Sequence, residues 1–114
     1  MIPKALVAAS LKPFLLSILA ETPSYGYEII QRVHALTDGE VRWTTGTLYP
    51  VLHSLENKGL LESFWRPADS GPDRKYYRLT PAGQRALATE KQQWLQVHQA
   101  LTALWGPAPS LSPA

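Results

Sequence analysis

Apolar positions along the chain keep helical spacing up to residue 59 and then change period. Leu11, Leu15, Ile18 and Leu19 share one face, which predicts a first helix over residues 5–20. Pro13 suits a helix start better than an interior, so residues 3–11 are expected either as a separate turn or arm or as part of that helix. After the break at Glu21-Thr-Pro-Ser24, Ser24 is a natural N-cap for a second helix. That helix turns Ile29, Ile30, Val33 and Leu36 inward and stops at Asp38-Gly39. A third helix, over residues 44–58, buries Leu48, Val51, Leu52 and Leu55, and Gly59 supplies a left-handed exit.

Beyond Gly59 the pattern reads as two strands, Leu60 to Arg66 and Arg74 to Leu79. Between them Pro67 to Asp73 is a polar, turn-forming loop. Three helices followed by a small β-hairpin make a mainly α fold with the layout of a winged helix-turn-helix domain, here residues 1–80. Thr80 and Pro81 then open a long helix over residues 81–105, as N-cap and first helical residue. Along it Leu87, Trp94, Val97, Leu101 and Leu104 follow at spacings of seven, three, four and three. This is a coiled-coil seam, interrupted by Glu90, and the small domain offers it no partner. A dimer interface along those five residues is the economical expectation. The proline-bearing tail, residues 106–114, is expected to be disordered.

Composition narrows the class. A chain of 114 residues with 45% hydrophobic and 18% charged residues suits one folded soluble domain. Its net charge of +2 is too small to mark a nucleic-acid binder, so any basic footprint must come from local clustering. With no cysteine, disulfides and thiolate metal sites are excluded. The apolar run Phe14 to Ala20 raises a signal peptide or membrane segment, but it is short of the roughly 20 residues a bilayer needs. A cytoplasmic protein without a membrane partner is expected.

The third helix and the hairpin hold the chemistry. In helix-turn-helix proteins the second helix of the motif enters the major groove by its N-terminal end. Here that end offers Thr44, Thr45 and Thr47, hydroxyls that cap the helix or donate to phosphates. If Thr47 is the cap, Pro50 costs nothing; if Thr45 is the cap, one backbone bond is lost. Tyr49 and His53 lie one turn apart, opposite the leucine face, and can reach DNA without disturbing the core. Taken singly, each of these residues is equally well read as an ordinary cap or a half-buried ring; taken together at this place, contact is favoured. Arg74, Lys75 and Arg78 lie within five residues, with Arg74 and Lys75 at the hairpin's bend, where a phosphate backbone or minor groove could be gripped. Alternation sets Lys75 and Tyr77 on one face and Arg74, Tyr76 and Arg78 on the other, so that one tyrosine packs inward. Alone, such a strand reads as a solvated basic edge.

Four stretches resemble the PadR family of bacterial transcriptional regulators: Tyr25-Gly-Tyr-Glu-Ile29, Gly46-Thr-Leu-Tyr-Pro-Val-Leu52, Leu55-Glu-Asn-Lys-Gly-Leu-Leu61 and Gly71-Pro-Asp-Arg-Lys-Tyr-Tyr-Arg-Leu-Thr-Pro-Ala-Gly83. The resemblance implies a homodimeric winged-helix repressor that binds operator DNA. The single helix after the wing is similar to the shorter subgroup, which includes multidrug-sensing members. There a tryptophan from each subunit can sandwich a flat aromatic small molecule. By that resemblance Trp94, with Val97 and His98 on the same helix and Leu6, Ala9 and Pro13 on the first, would line the cavity. His98 departs from the pattern, since an acidic residue occurs there in such a member; an imidazole favours cationic ligands less. Read from its position alone, Trp94 is interface packing.

Two other classes compete. A winged helix can serve protein–protein contacts alone, but such a module has no need of a basic wing and a hydroxyl-rich helix start. An enzyme has little support: His34, His53 and His98 show no metal-ligand spacing, and there is no nucleophile motif or phosphate loop. No cofactor is implied.

Overall fold

Leucine and isoleucine at helical spacing bring the N-terminal half together, and the wing closes over it. The structure, a computed structural model, describes residues 2–106. Among the described residues the elements run α1 (Lys4–Glu21), β1 (Ser24–Tyr25), α2 (Gly26–Leu36), α3 (Thr45–Asn57), β2 (Leu61–Arg66), β3 (Arg74–Leu79) and α4 (Pro81–Trp105). The sheet order is β1-β3-β2, antiparallel throughout. The core gathers Leu15, Leu16 and Ile18 of α1, Ile29 and Val33 of α2, and Leu48, Leu52 and Leu55 of α3. Leu61 and Tyr77 of the wing join it, as does Leu87 of α4. No helix among the described residues is long and apolar enough to cross a membrane.

Several expectations need correction. Residues 3–11 form no separate arm: α1 is one helix, and Pro13 sits inside it. The ring there costs one backbone bond, which the buried Leu15-Leu16 and Ile18-Leu19 pairs on the next turns offset. Ser24 is not the cap of α2. It is wholly buried in β1, its hydroxyl donating to the Thr22 carbonyl at 3.3 Å, and Tyr25 takes the cap position without a side-chain bond. The hairpin therefore gains a third strand, with Ser24 opposite Tyr77 and Tyr25 opposite Tyr76. Leu36 is 60% exposed instead of inward, because α2 has reached its last turn there.

The cap of α3 is neither Thr45 nor Thr47 but Thr44, whose hydroxyl accepts from the Thr47 backbone N–H at 3.2 Å. Pro50 then lies inside the helix, and its missing N–H leaves the Gly46 carbonyl without an intrahelical partner. Gly59 takes the left-handed conformation, φ 76°, as its position demands. Thr80 caps α4 as expected, accepting from the Gly83 N–H at 3.1 Å while donating to the Gly59 carbonyl at 2.6 Å. One hydroxyl thus ties the start of α4 to the end of the third helix.

Helix α4 has two halves. Its first three turns pack on α1, where Lys12 and Glu90 approach to 3.8 Å. Leu87 is spent there: only 4% exposed, it belongs to this chain's own core and is not free to meet a second copy. From Lys91 to Ala100 every residue is exposed, Trp94, Leu95 and Val97 among them. The predicted tail falls mostly on residues 107–114, outside the described residues.

Candidate nucleic-acid interface

Helix α3 presents two faces because Leu48, Leu52 and Leu55 are buried while the positions between them point outward. Thr44, Thr45 and Thr47 are exposed at its N-terminus, and the Thr44 hydroxyl also donates to that of Thr47 at 3.2 Å. With the first-turn N–H groups and the positive end of the helix dipole, this is a surface complementary to phosphate. A cation that sequence reading missed stands beside it. Arg42, in the turn before α3, donates to Nε2 of His34 at 3.2 Å. Nothing in its spacing marks Arg42, since the turn that brings it there has no periodicity.

Tyr49, Pro50 and His53 continue the exposed face, the Tyr49 and His53 rings 6.2 Å apart. Tyr49 is 37% exposed because its hydroxyl end lies against Gly26 at the start of α2. A Cβ at residue 26 would stand 2.7 Å from that hydroxyl, so a larger residue there would displace the ring. Tyr49 is thus both a half-buried ring and a group at the surface.

The wing faces α3 through alternate residues. Trp65 and Lys75 are paired across β2 and β3, as are Ser63 and Tyr77 one step nearer the core. Tyr77 is the inward tyrosine, with no exposed surface, and burial pushes its phenol above the usual range, helped by the charges of Glu56 and Tyr49. Its hydroxyl has no hydrogen-bond partner among the described residues. Lys75 lies 5.5 Å from the centre of the Tyr77 ring. Between wing and helix runs an open cleft of about 370 Å³, lined by Tyr49, His53, Trp65, Arg74 and Lys75 among others. Trp65 is 66% exposed; the alternation of β2 from Leu61 marks its side, and sequence reading passed over it.

Arg74 lies at the start of β3. Its guanidinium sits 4.6 Å over the Tyr25 ring and donates to the Tyr25 hydroxyl at 3.1 Å. The outer face of the sheet continues this stack, Tyr25 edge-on to Tyr76 and Tyr76 over Phe64, with Arg66 and Arg78 against the rings. All eight residues singled out for DNA, Thr44, Thr45, Thr47, Tyr49, Pro50, His53, Arg74 and Lys75, therefore lie along the exposed side of α3 or the wing.

The residues singled out for a small ligand are not brought together in one chain. Pro13 and Trp94 line an apolar cavity of about 410 Å³ between α1, α2 and α4, with Phe14, Ile18 and Leu36. The ion pair of Arg32 with Glu21 borders it. Val97 shares a smaller hollow of about 220 Å³ with Gln93 and Trp94. Leu6, Ala9 and His98 are exposed and line neither.

Comparison with known proteins agrees with this geometry. Residues 15–89 match the model of the transcriptional regulator PadR-like family. Over 51 residues the chain is 51% identical to transcriptional regulator Rv3488 of Mycobacterium tuberculosis, a stretch covering 45% of this chain and 47% of that protein. A solved transcriptional regulator from Clostridium thermocellum superposes with a TM-score of 0.80 at 27% identity, covering 90% of this chain and 97% of its own. A PadR-like transcriptional regulator from Bacillus cereus gives 0.79 at 27% identity, with 91% and 99% covered.

Proposed function

The chain belongs to the PadR-like family of transcriptional regulators, and from that premise we propose that it is a cytoplasmic, homodimeric repressor that reads operator DNA with α3 and the wing. The observation that carries the reading is that Tyr49 and His53 of α3 and the basic bend of the wing line one open cleft, with the exposed hydroxyls of the helix start one turn before Tyr49. In this reading residues 1–80 bind DNA and α4 dimerises. Two copies of α3 then meet a palindrome about 34 Å apart, one turn of the duplex. Leucine and valine left in water on α4 support self-association, since Val97 is 58% and Leu104 81% exposed.

A flat aromatic or hydrophobic small molecule releases the operator by occupying the dimer interface at Trp94. The apolar cavity beside Trp94 supports this, and the second protomer supplies what Leu6, Ala9 and His98 need to join it. Release requires the ligand to favour the arrangement of α4 helices in which the two recognition helices lose their spacing.

Neutralising the wing tests the DNA reading. Arg74→Gln with Lys75→Gln is expected to weaken operator binding and to lower the slope of log affinity against log salt by about two. An unchanged slope contradicts it.

A further inference from the structure

We infer that the Tyr25–Gly26 junction is a positioning element for DNA recognition, holding Arg74 of the wing and Tyr49 of the recognition helix in fixed relation. This rests on the DNA reading above. The two residues are adjacent, yet each meets a different half of the interface. Tyr25 is the last residue of β1, hydrogen-bonded into the wing opposite Tyr76. Gly26 is the first residue of α2, so no linker separates wing from helix-turn-helix.

Tyr25 holds Arg74 twice, by the hydrogen bond of 3.1 Å and by the ring beneath the guanidinium at 4.6 Å. The ring is itself buttressed, its centre 5.3 Å from that of Tyr76. Ion pairs among the described residues join Lys12 to Glu90, Arg32 to Glu21 and Arg78 to Glu62; Arg74 is in none of them. A neutral phenol therefore restricts the rotamers of Arg74 without neutralising its charge, leaving the full positive charge for a phosphate. A carboxylate partner would order the side chain equally well and spend that charge. Ordering before binding lowers the entropy lost on binding. On the other side of the same peptide, Gly26 is buried and accommodates the end of Tyr49, which a Cβ would crowd. Any shift of this junction moves a helix contact and a wing contact together.

Tyr25→Phe tests the inference, since it keeps the ring and removes only the hydroxyl. Affinity for an operator duplex is measured by anisotropy in four proteins: parent, Tyr25→Phe, Arg74→Gln and the double variant. Side-chain order at Nε of Arg74 is measured by nitrogen relaxation in the DNA-free protein. Tyr25→Phe is expected to weaken operator binding roughly three- to ten-fold in the parent, the worth of one hydrogen bond. In the Arg74→Gln background it is expected to do nothing, and it should lower Arg74 order without DNA. Equal losses in both backgrounds, or unchanged Arg74 order, overturn the inference while leaving the DNA reading standing. A parent that binds operator and scrambled duplexes alike overturns the DNA reading and this inference with it.

Discussion

Tyr77 shows how a single side chain ties stability to the site. Its phenol is buried without a hydrogen-bond partner among the described residues, and burial, then Glu56 and Tyr49, raise its pKa above that of an exposed tyrosine. The folded protein therefore holds this proton more tightly than the unfolded chain. Its contribution is whole below the ordinary tyrosine range, about pH 10, and is lost as pH rises through and beyond it. Tyr77→Phe removes a hydroxyl that gains nothing from burial. It is expected to leave stability unchanged or raise it by about 1 kcal/mol in urea unfolding at neutral pH, and to flatten the alkaline loss. A clear loss at neutral pH would mean that the hydroxyl has a partner in solution. Gly83 makes the opposite case. Tucked under the wing at the start of α4, it leaves no room for a Cβ, which would collide with the Leu60 backbone carbonyl. Gly83→Ala should cost about 3 kcal/mol, as overpacking against rigid backbone does, read as a lower urea midpoint. Neither property is visible in the sequence, because both depend on what the chain brings across from elsewhere.

At the scale of elements, spacing was informative wherever a helix had one dry face. Leu15, Ile18 and Leu19 of α1 and the leucines of α3 follow from it, as the Thr80-Pro81 start of α4 follows from its cap, whereas the equally buried Leu16 does not. It failed where tertiary contact outweighed local preference. Pro13 reads as a boundary, yet core burial on the turns that follow carries α1 through it. Ser24 reads as a cap, but two residues are too few to show a strand period, so β1 stayed hidden and with it the partner of Arg74. Pro50 is the remaining break of local rules, one bond missing inside α3. Pro50→Ala restores an N–H for the Gly46 carbonyl and should stabilise the fold by about 1 to 3 kcal/mol. Equal urea midpoints for the two proteins would show that the helix has already relaxed around the ring.

Across the whole molecule, the candidate site was more legible than the fold's details, since its residues come from two contiguous stretches that each carry a local signal. What escaped was the cross-chain part: Tyr25, Trp65 and Arg42 reach the interface through strand pairing and a turn without period. The apolar spacing of α4 did not show that its first position is spent in the core, because Leu87 looks like Leu101 in sequence. In the proposed dimer, the half beyond Lys91 is the part of α4 left free to pair. Val97→Glu with Leu104→Glu should convert dimer to monomer in sedimentation velocity, since each apolar side chain is worth about 1.5 to 3 kcal/mol when buried. Leu87→Ala should instead lower folding stability, by about 2 to 5 kcal/mol. The central claim is that α3 and the wing read DNA. The most direct test follows anisotropy of a labelled duplex from upstream of the protein's own gene, at several salt concentrations, against a scrambled duplex. The account predicts tighter binding to the upstream duplex and a steep fall with salt, the mark of several phosphate contacts released together. Weak binding, equal for both duplexes and flat with salt, would contradict it.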